Sequence, residues 1–369
     1  LTNSTVSGNS ANSGGGIDNR NGKATLTNST VSGNSANSGG GIENSGTATA
    51  TLTNSTVSGN SANNEGGGIS ISGTAVLTNS TVSGNSANNL GGGIFISGAA
   101  TLTNSTVSGN SANSYGGGIL INDGTATLTN SIIADNNANQ GNDLYQTGSQ
   151  STINASFSLI EDNADQINGT DDSNITGQDP LLDPAGLQDN GGETQTIALQ
   201  SGSPAINAGD NSQIAPDTFD LDGDGDTSEP VPFDQRGEGF DRLVNGTVDI
   251  GAVEVQTGEA NTSSISLSNF SANNTHSDTS QVLANQVNGN ETPTISVLAP
   301  TILEGNEGTT QASFLVALSH PISNPVTIGF ASPTLEEIPN GVAIPGGDYE
   351  TVNGTLTIPV GETTGIIDV

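Results

Sequence analysis

The stretch DLDGDGDTSEP sets Asp220, Asp222, Asp224 and Asp226 at alternate positions, with Gly225 between the last two and Glu229 close behind. Alternate carboxylates can converge on one hard cation that takes oxygen ligands. Without a cation their mutual repulsion would open the loop. A second set lies near the start of the chain. Asp18 and Glu43 occupy equivalent places in successive repeats, with Arg20 and Lys23 nearby. Two clustered carboxylates are the equipment of a glycoside hydrolase. An Arg or Lys proton acceptor beside acids or Ca²⁺ is that of a polysaccharide lyase.

The Asp loop matches positions 1, 3, 5, 6 and 7 of an EF-hand-like calcium loop. Its twelfth position is Val231 instead of a bidentate Glu, and no flanking helices are evident; Glu229 or Asp234 could substitute. The expectation is a structural Ca²⁺ site, with a solvated acidic loop as the alternative. The early set is sparser. Arg20 and Lys23 share one turn of one repeat, and residues 1–94 offer no aromatic platform for a sugar.

The elements that must position these groups follow from the repeat. LTNSTVSGNSA recurs at Leu1, Leu26, Leu52, Leu77 and Leu102, and degenerates to LTNSIIADNNA at Leu128. Between copies stands a glycine triplet followed by isoleucine, as in Gly39 to Ile42 and Gly66 to Ile69. A fixed period of 25 or 26 residues means a solenoid. The units are rich in Thr, Ser, Asn, Val and Ile and carry no 3.6-residue apolar stripe, so they read as short strands with glycine corners. Stacked coils then pair in parallel about 4.8 Å apart. The fold class is all-β: a right-handed parallel β-helix, followed by a linker and a partial β-sandwich.

Equal positions stack in such a barrel. Leu26 to Leu128, Val31 to Ile133 and Ile42 to Ile119 should form internal ladders, one residue per coil. Two asparagine ladders are expected as well, one through Asn28, Asn54, Asn79, Asn104 and Asn130, the other through Asn34, Asn60, Asn85, Asn110 and Asn136. The rival reading of the Asn-Ser-Thr triplets is glycosylation.

The Val31 to Asn34 and Gly39 to Ile42 blocks resemble the FxxN and GGA repeats of polymorphic outer-membrane proteins, and the wider pectin-lyase-like group. The blocks GNDLY, DPLLDPAGLQDNGG, SGSPAINAGDN, DQRG at Asp234 and DIGAVE at Asp249 are similar, in order, to the C-terminal part of bacterial surface β-helix proteins of the choice-of-anchor Q type. That resemblance implies that residues 140–255 complete and cap the barrel of residues 1–139.

Residues 256–291 are polar, without period, and read as a linker. From Pro293 alternating segments such as ASFLVALS and GTLTIPVG read as a β-sandwich over 293–369. Glu304-Gly305, Gly347-Asp348-Tyr349, Gly354-Thr355-Leu356 and Ile367-Asp368 resemble a Calx-beta domain. The resemblance implies Ca²⁺ ligands at Glu304, Asp348 and Asp368, with Glu350 a weaker candidate. The last strands of that pattern fall beyond Val369, and Leu1 starts mid-repeat, so the chain reads as a fragment.

Charge narrows the partners. There are 38 Asp and Glu against 4 Lys and Arg, a net charge of −34. Nucleic acid and anionic membrane surfaces do not suit such a chain, because phosphate binding needs cations. Metal cations and basic or neutral polymers do. Residues 1–130 hold only Asp18, Glu43, Glu65 and Asp123 among the acids. Every other acid lies beyond Asn130. With no Cys, neither disulfides nor thiolate metal sites are available. No apolar run is long enough to span a membrane.

Three function classes remain. The first is a non-catalytic extracellular or cell-surface scaffold or adhesin with calcium-stabilised modules, meeting extracellular polysaccharide or another surface protein. The second is a polysaccharide lyase or glycoside hydrolase. The third is ice binding, through ranks of outward threonines such as Thr25-Leu26-Thr27 and Thr101-Leu102-Thr103.

Overall fold

The computed structural model describes residues 1–256, 295–298, 313–318, 326–331, 353–358 and 364–368. The chain divides into two compact units, Leu1–Ala260 and Asn261–Val369.

The first unit is a parallel β-solenoid. One coil runs through four short strands, for example Lys23–Thr27, Thr30–Ser32, Ser35–Ser38 and Ile42–Ser45. Corresponding strands of successive coils pair in parallel and build sheets of 7, 8, 5 and 6 strands. Each sheet is named here by its inward residue, giving the Leu, Val, Ala and Ile sheets. Register follows the repeat: Leu26 pairs with Leu52, Val31 with Val57 and Ile42 with Ile69. These residues are 0–1% exposed and form one continuous core. Burying each such side chain contributes about 1.5–3 kcal/mol.

The corners explain the punctuation. Between the Ala and Ile sheets the glycine triplet lets neighbouring coils touch through their backbones. A Cβ on Gly67 would stand 2.3 Å from the Ser86 carbonyl oxygen and 2.4 Å from that of Gly92. No side chain fits there. Between the Leu and Val sheets Asn28, Asn54, Asn79, Asn104 and Asn130 adopt left-handed backbone at φ 45–49°, a region Asn tolerates better than most residues.

One asparagine ladder forms as expected. Asn34 Nδ2 donates to Asn60 Oδ1 at 3.0 Å, Asn60 to Asn85 and Asn85 to Asn110 at 2.9 Å. Each acceptor also takes the preceding asparagine's backbone N–H. The other ladder does not form. The left-handed bend turns the amides of the Asn28 series away from one another, and two of them bond a different segment. Asn79 Nδ2 donates to Phe233 O at 2.7 Å, and Asn130 exchanges two bonds with the Asp210 backbone. A serine ladder accompanies the bend instead: Ser55 Oγ accepts the Ser29 N–H and Ser80 Oγ the Ser55 N–H, at 3.2 Å each.

Residues 140–255 do two things. The first part continues the stack: Leu144–Thr147, Thr152–Ser156, Leu159–Ile160 and Ile175–Thr176 each join a sheet. The turn Ala164–Gln166 brings Ala164 and Ile167 onto the core there. From about residue 177 the chain folds back as a strap along the outer face of the Val sheet. Thr194 Oγ1 donates to Asn54 O, Thr56 Oγ1 to Gln195 O, and the Ala252 N–H to Thr106 Oγ1. Under it Thr56, Thr81 and Thr106 are 0–3% exposed although they point out of the barrel.

In the second unit Ile295–Leu298, Ser313–Leu318 and Thr364–Asp368 form an antiparallel sheet, and Val326–Ala331 pairs antiparallel with Asn353–Ile358. Val316, Ile358 and Ile367 are buried. Residues 257–291 of the stretch read as a linker, and the positions Glu304, Asp348 and Glu350, lie outside the described residues. Among the described residues no helix is long and apolar enough to cross a membrane.

Candidate metal centre and the carboxylates of the solenoid

The Asp-rich loop is carried by the strap. Its base is a short antiparallel ladder: the Asp217 N–H donates to Glu229 O at 2.7 Å and the Val231 N–H to Ala215 O at 2.8 Å. Inside that base the carboxylates fold the loop around themselves. Asp220 Oδ1 accepts the Gly225 N–H at 3.0 Å, Asp222 Oδ1 that of Asp224 at 3.2 Å, and Asp224 Oδ1 that of Asp226 at 2.7 Å.

Two groups of ligand atoms result, each within 4.8 Å: Asp220, Asp222 and Asp224, and Asp217, Asp222 and Glu229. Asp222 belongs to both. Asp226 belongs to neither; its carboxylate accepts the Ser228 hydroxyl at 2.6 Å and N–H at 2.9 Å. That hydroxyl holds its pKa below the usual value. Burial pushes Asp217 up, as do the charges of Asp222 and Asp220. Glu229 is raised by burial and by Asp224, Asp222 and Asp226. Raised carboxylates facing one another are what an uncompensated anionic site produces, and a divalent cation relieves it. The donors are hard oxygens, which suits Ca²⁺ or Mg²⁺ and not a soft metal.

Asp217 was missed in the sequence because it precedes the alternating run. It stands next to the isolated Pro216–Pro230 bridge that closes the loop, a pairing with no signal in the sequence. Asp368 lies at the end of the strand Thr364–Asp368 opposite Ser313.

The barrel carboxylates are engaged elsewhere. Asp18 and Glu43 do stand on adjacent strands in register. Asp18 pairs with Arg20 at 2.8 Å, and Glu43 accepts the Ser38 hydroxyl at 2.8 Å. Glu65, 3.3 Å from the same hydroxyl, is raised by burial.

Two further groups had no signal in spacing. Asp143 is buried at the end of the asparagine ladder, and burial lifts its pKa to about 7 against the hydrogen bonds it accepts. The DQRG and DIGAVE blocks lock the strap together. Arg236 donates to Asp234 at 2.8 Å over the Phe240 ring, and Arg242 donates to Glu254 at 2.9 Å. Glu254 also accepts the Asp249 N–H, and burial raises it to about 7. All five ionic residues are at most 5% exposed. Such charges are tolerated only when every one is paired or hydrogen-bonded.

No protein-family model matches the chain, and no curated protein matches it.

Proposed function

We propose that the chain is a non-catalytic scaffold or adhesive module that works outside the cell, with Ca²⁺ stiffening the strap loop. The observation that carries this reading is the loop itself. Asp222 stands between two carboxylate groups, and a hydrogen-bonded ladder closes the base. Weak oxygen sites of this kind fill at the millimolar calcium found outside cells. Without Cys, the loop and the buried ionic lock do the cross-linking that disulfides otherwise provide.

The early acids support a structural role. Asp18 is held by Arg20 and Glu43 by Ser38, so each is committed to a neighbour. In this reading residues 1–255 belong with pectin-lyase-like surface proteins of the choice-of-anchor Q type, and 293–369 with Calx-beta domains. The partner is an extracellular polysaccharide or another surface protein.

The test is a thermal melt of the intact chain in Ca²⁺ and in chelator, beside an assay for release of unsaturated or reducing ends from pectate, alginate and neutral glycans. Calcium should raise the melting temperature and no ends should appear. Polymer cleavage lost in Asp18→Asn or Glu43→Gln would replace the scaffold reading with catalysis.

A further inference from the structure

A cleft of about 450 Å³ lies where the strap leaves the barrel. One wall is the outer edge of the Val sheet, with Ser83 and Ser108, and Asp135 at the following bend. The other is the strap, with Asp179, Leu182 and Asp183 from its first turn and Ile197 from a later segment. The walls thus differ in chemistry: hydroxyls and one carboxylate on one side, aliphatic side chains beside two carboxylates on the other.

The carboxylates are not neutralised from within. None of the chain's 4 Lys and Arg residues lines the cleft. Arg20 is paired with Asp18, Lys23 lies in the first strand of the Leu sheet, and Arg236 and Arg242 are spent on Asp234 and Glu254. Glu161 stands directly behind, its Oε2 accepting the Asp135 N–H at 3.0 Å. Burial raises both Asp135 and Glu161, and each is raised further by the charge of Asp179. The cleft therefore carries a negative charge that no cation of this chain offsets, with the Ser108 hydroxyl bonded to Asp135 as the partial relief.

A bare metal ion would leave the aliphatic wall unused. A neutral apolar group would strip water from the carboxylates with nothing in return. A charged head on an apolar stem satisfies both walls, as lysine and arginine side chains do elsewhere by laying the stem on apolar surface. The volume admits one such side chain with part of its backbone.

We infer that this cleft receives a lysine or arginine side chain of a partner protein, the stem against Leu182 and Ile197 and the cation between Asp135 and Asp179. The inference rests on the adhesive reading and gives it a partner chemistry, a basic protein surface. It does not depend on the calcium loop or on the absence of catalysis, so its failure leaves those tests untouched.

The experiment follows backbone amide shifts of Ser83, Ser108 and Gly109 in the intact chain, with Ca²⁺ present throughout. The probe is N-acetyl-lysine amide, and N-acetyl-norleucine amide is the uncharged control. Lysine should shift these amides saturably and lower the titration midpoints of Asp135 and Glu161; norleucine should not. Asp135→Asn with Asp179→Asn should weaken lysine about tenfold. The charge-matched pair Asp171→Asn with Asp172→Asn should leave it unchanged. Equal binding of norleucine, equal weakening in the charge-matched pair, or no shift at these amides would overturn the inference. So would calcium alone producing the same shifts and excluding lysine, which would make the cleft a metal site. Should the cleft variant not fold, the lysine–norleucine contrast on the unaltered chain still decides.

Discussion

Asn136 Nδ2 donates to Asp143 Oδ1 at 2.9 Å, and this bond ends the asparagine ladder. Every earlier rung joins two amides, each donating to the next coil. Here the acceptor is a carboxylate, which takes the Asn136 backbone N–H at 3.3 Å and the Asp162 N–H at 2.6 Å as well. The Asp143 oxygens accept these bonds, so the last amide is satisfied, although burial still raises the pKa of the side chain against them. The aligned amides present their positive ends to it, and such chains strengthen cooperatively.

Removing a middle rung should therefore be costly. Asn85→Ala strands the Asn60 backbone N–H and one proton of the Asn60 amide, both of which Asn85 Oδ1 accepts, while the Asn110 oxygen keeps only the backbone N–H of residue 85. The expected loss is about 1–3 kcal/mol in a denaturant melt. A change within error would show that the ladder contributes nothing net.

Stability should fall as pH rises through neutrality. Burial lifts Asp143 from 3.8 and Glu254 from 4.5, each to about 7. The folded state then binds these protons more tightly than the unfolded chain. Their contribution is full below the unfolded values and is lost as pH climbs through the folded ones. The melting temperature should be higher at pH 5 than at pH 8, and Glu254→Gln should flatten that slope. A melting temperature that rises from pH 5 to pH 8 would contradict it.

Calcium stabilisation should depend on Asp222 more than on Asp226, because Asp222 belongs to both ligand groups while Asp226 bonds Ser228. At one hundred times Kd a cation adds about 2.7 kcal/mol. Asp222→Asn should abolish most of the chelator response and Asp226→Asn little of it. Equal responses in the two variants would move the site elsewhere.

Gln235 should be the strongest single tie between strap and barrel. Its amide nitrogen donates to Thr56 Oγ1 at 2.8 Å and Thr194 Oγ1 at 3.0 Å, and its oxygen accepts from Thr81 at 2.5 Å. Gln235→Leu leaves the buried Thr81 hydroxyl without its acceptor, while Thr56 and Thr194 keep the carbonyls to which they donate, and should cost about 1–3 kcal/mol. Hydrogen exchange should quicken in strap residues 194–252 before it does in the Leu sheet.

The glycines should separate by position. Gly67→Ala drives a Cβ into the backbone of the next coil and should cost about 3 kcal/mol or more. Gly84→Ala has only the left-handed φ of 65° against it, with the nearest atom at 3.9 Å, and should cost about 1–2 kcal/mol. Melts of the two variants measure the difference.

What could be read beforehand was what repeats. Leu52, Val57 and Ile69 are inward because each recurs, and Asn60 ladders because its place in every coil is the same. Asn79 recurs just as strictly and does something else, because a left-handed bend reverses where its amide can reach. Periodicity identifies equivalence, not direction. The strap escaped because its partners are single events: Gln235 meets Thr56 and Thr81 across 179 and 154 residues, with no second copy to betray the pairing. Asp220, Asp222 and Asp224 stood out through their alternation. Asp217, Asp143 and the cleft around Asp135 needed tertiary neighbours to become visible.

The one-way ladder bears on how such a barrel changes length. Each inner coil offers the coil before it an acceptor and asks the coil after it for the same. A duplicated unit placed before Asn54 would find both, and the terminator at Asp143 would not notice the difference. The strap bonds the stack from Asn54 to Asn130, so a unit inserted between those residues would throw its ties out of step. Copy number is thus free to drift on one side of Asn54 and fixed on the other. Recombination between near-identical repeats can lengthen or shorten this protein without redesigning its end.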